Sequence, residues 1–187
     1  MTAPVFPAPF PDAAIADARD AAKAHLRIAT DTEDALIERL AASALALGEA
    51  FTGTAWIARD WIDVMPVSRA WQRVGIGPVG AITLVEGLPA AGAASALAAD
   101  AYAVDIDASG DGWVRTIAPG DAGRVRVTLS AGAAAGWATL PPPLAQGAVL
   151  LIAHLFEHRE GETAPPAAVS ALWRPWRRMR LAAERAA

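Results

Sequence analysis

The spacing of apolar and polar positions changes character twice along the chain. From Asp12 to His25 alanines dominate, with acids in the first turn, and the pattern predicts a first helix over 12–25. Leu36, Ile37, Leu40, Ala44, Leu47 and Phe51 then repeat at helical spacing and predict a second helix over 30–52. Thr30 and Glu33 stand at the spacing of a capping box, Asp31 adds negative charge at the positive helix end, and Gly53 closes the segment. From Thr54 to Gly132 the rhythm shortens to two. Gly, Pro and Asp punctuate β-branched or aromatic runs, which predict strands at Trp56–Val64, Val79–Glu86, Tyr102–Ile106, Trp113–Ile117 and Arg124–Ser130. The last alternates most cleanly, with Val125, Val127 and Leu129 opposite Arg124, Arg126 and Thr128. Pro141-Pro142-Pro143 ends this region and opens a third helix over 143–160. It is apolar almost all round from Val149 to Phe156, so it is expected to be the buried central helix. After a polar loop, Gly161 to Pro166, a short helix to Trp173 and a further one begun by Pro175 are expected.

The fold class expected is therefore α+β: a helical core with an inserted small antiparallel β-sheet at 54–132 and a C-terminal helical tail at 169–187. Residues 12–168 make up the main domain. Residues 1–11 precede it as an extended arm, because Pro4, Pro7, Pro9 and Pro11 each remove a donor and bias their neighbours to extended backbone. Phe6 and Phe10 are two apolar anchors that should lay this arm on a surface.

Composition narrows the chemistry. Of 187 residues 48 are alanine, so the core must come from Leu, Ile, Val and the 7 Trp. With no Cys, thiol nucleophiles, disulfides and thiolate metal sites are excluded, and Lys23 is the single lysine. Net charge is −4, but the last fourteen residues carry five arginines against Glu184, a local +4 that leaves −8 on the rest. Such a body is a poor general binder of nucleic acid. No apolar run approaches the ~20 residues of a membrane-spanning helix, and the first residues lack the basic and apolar regions of a secretion signal, so assembly in the cytoplasm is the expectation.

Three motifs carry possible chemistry. His154-Leu155-Phe156-Glu157-His158 has the H-x-x-E-H form of an inverted zinc-peptidase site, with His25 the only other histidine to complete a ligand set. A helix whose His154 faces the core and whose Glu157 and His158 face solvent accounts for the same residues. Asp105 to Gly112 follows the start of a calcium loop, but Thr116 replaces the bidentate glutamate and strands flank it, so a hairpin turn is favoured. Gly75-Ile76-Gly77-Pro78 has neither phosphate-loop nor dinucleotide spacing. The tail from Val169 to Leu181 interleaves Leu172, Trp173, Trp176, Met179 and Leu181 with four arginines. It suits a core-completing helix, an anionic membrane surface or a partner's groove. Pro175 interrupts a membrane-binding stripe, and Trp with Arg favours the groove.

Taken in order, several segments resemble the head–tail connector, or adaptor, proteins of long-tailed phages and gene transfer agents. These are Ala24-His25-Leu26-Arg27-Ile28, Asp34-Ala35-Leu36-Ile37, Glu49-Ala50-Phe51-Thr52-Gly53, Tyr102-Ala103-Val104-Asp105 and Val125-Arg126-Val127-Thr128 with Gly132. Pro143-Leu144-Ala145-Gln146, Ala153-His154-Leu155-Phe156-Glu157 and Leu172-Trp173-Arg174-Pro175-Trp176-Arg177 complete the set. The resemblance spans residues 22 to 181 and omits the arm. It implies a structural protein without enzymatic activity, cofactor or metal. Such proteins form a twelve-fold ring beneath the portal, extend the DNA channel without sequence-specific binding, and give the stopper or head-completion protein its docking surface. It further implies a place at the neck of the particle, no membrane partner, and a portal-docking set of Leu172, Trp173, Arg174, Trp176, Arg177, Arg178, Met179 and Arg180.

Overall fold

A computed structural model describes residues 5–158 and 163–178. Two units emerge, each assembled from separated stretches of chain: one takes the arm through Ala14 and Ala55–Leu140, the other takes Ile15–Thr54 and the chain from Pro141. The helix-plus-sheet mixture is the α+β class that the periodicity predicts.

The first unit holds eight strands: β1 (Val5–Pro7), β2 (Arg59–Pro66), β3 (Gln72–Arg73), β4 (Val79–Pro89), β5 (Ser95–Ala96), β6 (Tyr102–Ile106), β7 (Gly112–Thr116) and β8 (Ala122–Ala131). They form two antiparallel sheets, in the orders β1-β2-β8-β4-β5 and β3-β7-β6, where one sheet of hairpins was expected. The β6–β7 hairpin leaves the main sheet because β7 pairs with the two-residue strand β3. β8 lies at the centre of the larger sheet, as its alternation requires: Val125, Val127 and Leu129 are fully buried. On its other face Arg126 reaches Glu86 of β4 at 3.3 Å.

The strand predicted from Trp56 begins only at Arg59. Trp56 and Ile57 are nonetheless completely buried, in a segment that runs beside the end of β8. There Ala133 N–H donates to Ala55 O, Ala134 N–H to Trp56 O and Ala58 N–H to Ala134 O. The backbones approach so closely that a Cβ at Gly132 would collide with the main chain of Ile57 and Ala58.

The arm lies on the sheet. β1 pairs antiparallel with β2, and Ala8 N–H donates to Asp60 O at 2.8 Å. Arg59 stacks between Phe10 at 4.0 Å and Trp61 at 4.4 Å and donates from Nε to Ala8 O. Of the two phenylalanines, Phe10 is thus the anchor, while Phe6 stays 54% exposed.

The helical unit contains α1 (Asp12–Leu26) from Ile15 onward, α2 (Asp34–Thr52), α3 (Pro142–Glu157) and α4 (Ala167–Trp173), with a 3₁₀ turn at Arg174–Trp176. α1 buries Ala14, Ala18 and Ala22, an i, i+4, i+8 stripe. α3 carries the most apolar face, with Leu144, Ala148 and Ile152 at 1% exposure or less. It stops at Glu157 instead of continuing to 160, and His158 caps it. α2 begins at Asp34 with Glu33 as its N-cap and no side-chain cap bond, so the box of Thr30 and Glu33 does not form. Ion pairs hold this junction instead. Lys23 donates to both Asp31 and Asp34, and Arg19 to Asp20 and Glu38.

These pairs set a pH dependence. The hydrogen bond from Lys23 lowers the Asp31 carboxyl below its ordinary range, and that from Arg19 does the same for Asp20. The bonds to Asp34 and Asp31 raise Lys23. Lowered carboxyls stabilise the fold above their unfolded value and lose that contribution as pH falls through the folded one. Raised Lys23 contributes below its unfolded value and loses this as pH rises through the folded one. The stability deficit of Lys23→Met should therefore be greatest at neutral pH and shrink below about pH 4 and above about pH 10. Paired thermal melts across that range will show it, and a pH-independent difference would refute the clamp.

Candidate docking surface

The tail is rooted by a buried indole. Trp173, on the last turn of α4, is 3% exposed and donates from Nε1 to Leu144 O at 3.2 Å. That carbonyl lies in the first turn of α3. The indole fits because residue 147 is glycine: a Cβ there would collide with Trp173 Nε1. Phe51 of α2 meets the same indole, with centroids 6.0 Å apart. Trp173 was expected in a partner's pocket; the structure gives it a pocket of its own chain.

Beyond Trp173 the chain turns back onto the end of α2. Gly53 caps α2 in the left-handed region, at φ +66°, and donates to Glu49 O. Arg178 N–H donates to Thr52 O at 2.8 Å, which satisfies one of the carbonyls a helix end leaves without an internal partner. The Arg177 guanidinium stands over the Phe51 ring at 5.3 Å. This arrangement leaves Arg174, Trp176 and Arg177 on the outside, with Trp176 39% exposed, while Leu172 and Arg178 are half-buried. Met179 and Arg180 lie outside the described residues. An apolar groove of about 440 Å³ runs beside this tail, walled by Leu47, Phe51, Leu151, Val169 and Trp173. Leu47 is 52% exposed at its rim. Outward Leu47 and Phe51 give no signal in the sequence, because they belong to the same helical stripe as the core positions of α2.

The other motifs resolve into structural roles. His154 is 7% exposed and its Nε2–H donates to Thr163 O at 3.0 Å, while the Nδ1–H of His158 donates to His154 O. A carbonyl only accepts, so in this arrangement the proton of each ring sits on the nitrogen facing it. The rings stack at 4.5 Å. Among the described residues no three His, Asp or Glu side chains gather into a metal site. Asp107 organises the β6–β7 turn: Oδ1 accepts from the N–H groups of Ser109 and Asp111, and Oδ2 accepts from Trp113 Nε1 at 2.9 Å. Gly110 takes φ +74° there. No helix among the described residues is long and apolar enough to cross a membrane.

No protein-family model and no curated protein matches the chain. Solved structures do. A chain in the neck of an empty gene transfer agent particle, computed with C6 symmetry, is 27% identical at TM-score 0.78, covering 98% of this chain and 100% of its own length. A chain of the native gene transfer agent virion matches at TM-score 0.73 and 27% identity over 97% of this chain and 99% of that one. A third, in the neck of a native particle computed with C12 symmetry, matches at TM-score 0.67 and 29% identity over 91% and 96%. In fold and in sequence, over nearly its whole length, this chain is similar to chains from the neck and virion of gene transfer agent particles, in keeping with the resemblance to head–tail connectors.

Proposed function

We propose that this protein is a structural, non-enzymatic component of the neck of a phage-like particle. In this reading it is an adaptor ring beneath the portal, with DNA passing through the lumen and a stopper or head-completion protein docked on its far side. The observation that carries the reading is the end-to-end match to neck chains, one of them in a particle computed with C12 symmetry. The net charge of −4 suits a conduit wall, since tight phosphate binding would retard passage.

The portal-docking element is the outer side of the tail. Trp173 and its Gly147 seat hold it in place. Arg174, Trp176 and Arg177 present the aromatic and guanidinium groups that dominate protein interfaces. Arg178 supports them through its backbone bond to Thr52. Removing the whole tail after Ala168 would strip buried Val169 and Trp173 and confuse docking with folding. Trp176→Ala combined with Arg174→Glu avoids this. The double variant should melt near the parent temperature yet lose about 2 kcal/mol at each subunit contact, a loss that a ring multiplies. The expected result is soluble protein that fails to join DNA-filled heads. Particles of normal yield carrying the double variant would move the portal contact elsewhere on the chain.

A further inference from the structure

A second polar and aromatic cluster lies in the β-rich unit, away from the tail in sequence and untouched by the proposal above. β3 pairs with β7 in the register Gln72↔Val114 and Arg73↔Trp113, which puts Trp71 across from Arg115. The Arg115 guanidinium lies over the Trp71 ring at 4.8 Å. The loop before Trp71 is pinned to β7. Thr116, 1% exposed, donates through its N–H and its hydroxyl to Ser68 O and accepts from Ser68 N–H. Ser68 Oγ in turn accepts from Ala70 N–H. These bonds hold the backbone on either side of Arg69, and Arg69 and Arg115 with Thr116 and Ile117 line a pocket of about 310 Å³.

Three features set this pocket apart. Neither Arg69 nor Arg115 forms an ion pair among the described residues, although the neighbouring Arg73 is neutralised by Asp111 at 3.1 Å. The Nε of Arg115 is buried with no hydrogen-bond partner. The apolar surround is turned outward, with Trp71 42% and Ile117 45% exposed. A chain with more acids than bases has left two guanidiniums bare beside an indole, on a scaffold held by four hydrogen bonds.

We propose that Arg69, Trp71 and Arg115 form a receptor for an acidic, partly apolar segment of a partner protein. A carboxylate meets the guanidinium fork bidentately, and an adjoining apolar side chain rests on Trp71 and Ile117. Duplex DNA suits the site less well. Its phosphates call for a stripe of cations, whereas Arg73 is already paired and an exposed indole has no role against a duplex backbone.

The test uses the full chain and an acetylated peptide of four glutamates around one leucine, followed by tryptophan fluorescence. Binding should be saturable, weaken as salt rises, and disappear from the signal in Trp71→Phe. Arg115→Gln and Arg69→Gln should each weaken it at least about tenfold, while Arg39→Gln, an equal charge change on exposed α2, should leave it unchanged. Exposed Arg69 keeps the test valid if Arg115→Gln unfolds, and Arg115→Lys should recover only part of the affinity, since it restores charge without the fork. The proposal fails if the peptide does not bind, or binds both Gln variants as tightly as the parent. It fails equally if a duplex oligonucleotide binds more tightly with the same arginine dependence, or if sedimentation shows the arginines acting in self-association alone.

Discussion

Trp173→Ala is expected to lower the stability of the chain by about 3–5 kcal/mol, the range for truncating a buried aromatic side chain. The indole is almost wholly buried, donates to Leu144 O and fills the space that Gly147 leaves on α3. Its loss opens a cavity between three helices and leaves the Leu144 carbonyl with one partner fewer. It also frees the tail, since α4 has Val169 as its only other buried side chain. Urea denaturation of full-length protein measures the effect, and Trp173→Phe should recover much of the packing without the hydrogen bond. A midpoint within experimental error of the parent's would mean that the tail is not anchored by this residue.

Gly132→Ala is the second large effect. The added methyl would meet backbone atoms of Ile57 and Ala58, which cannot turn aside as a flexible side chain can. The two strands of chain are locked there by bonds on either side, from Gly132 N–H to Pro78 O and between residues 55–58 and 133–134. Relief requires that these bonds stretch, and overpacking of this kind costs about 1–3 kcal/mol or more. Circular dichroism melts should show a lowered midpoint for Gly132→Ala while Gly136→Ala, whose Cβ meets open space, stays near the parent.

How far the sequence exposes the fold depends on which side chains carry the signal. β8 and α3 are legible because β-branched and leucine side chains write their periodicity in large residues. The start and length of α1 come out within one residue, but its buried stripe is Ala14, Ala18 and Ala22, which an alanine-rich helix cannot distinguish from its other alanines. The capping box at Thr30 matches in spacing yet loses to charge, because Lys23 and Arg19 draw the first turn of α2 into ion pairs. β3 and β5 are two residues long, below any periodicity, and exist only because β7 and β4 supply partners. At the docking surface the Arg and Trp content is visible in the sequence. The division of labour between buried Trp173 and exposed Trp176 is not, since it depends on the absence of a side chain at residue 147, twenty-six positions earlier.

The adjacency of residues 55–58 and 132–134 has a kinetic consequence. α2 and α3 pack together, yet roughly ninety residues separate them in sequence, and closing so long a loop late in folding is slow. The hydrogen bonds between Ala55, Trp56, Ala58 and the Ala133–Ala134 segment bring the two ends of the intervening stretch side by side. Once the sheet has formed, the helices are joined by an effective tether of only about a dozen residues, which lowers the closure cost by about 2 kcal/mol. Closing the clasp of the β-rich unit first therefore makes the pairing of α2 with α3 cheaper. On the ribosome that unit is complete before α3 emerges, so the order of synthesis is also the order in which the helical unit becomes able to fold.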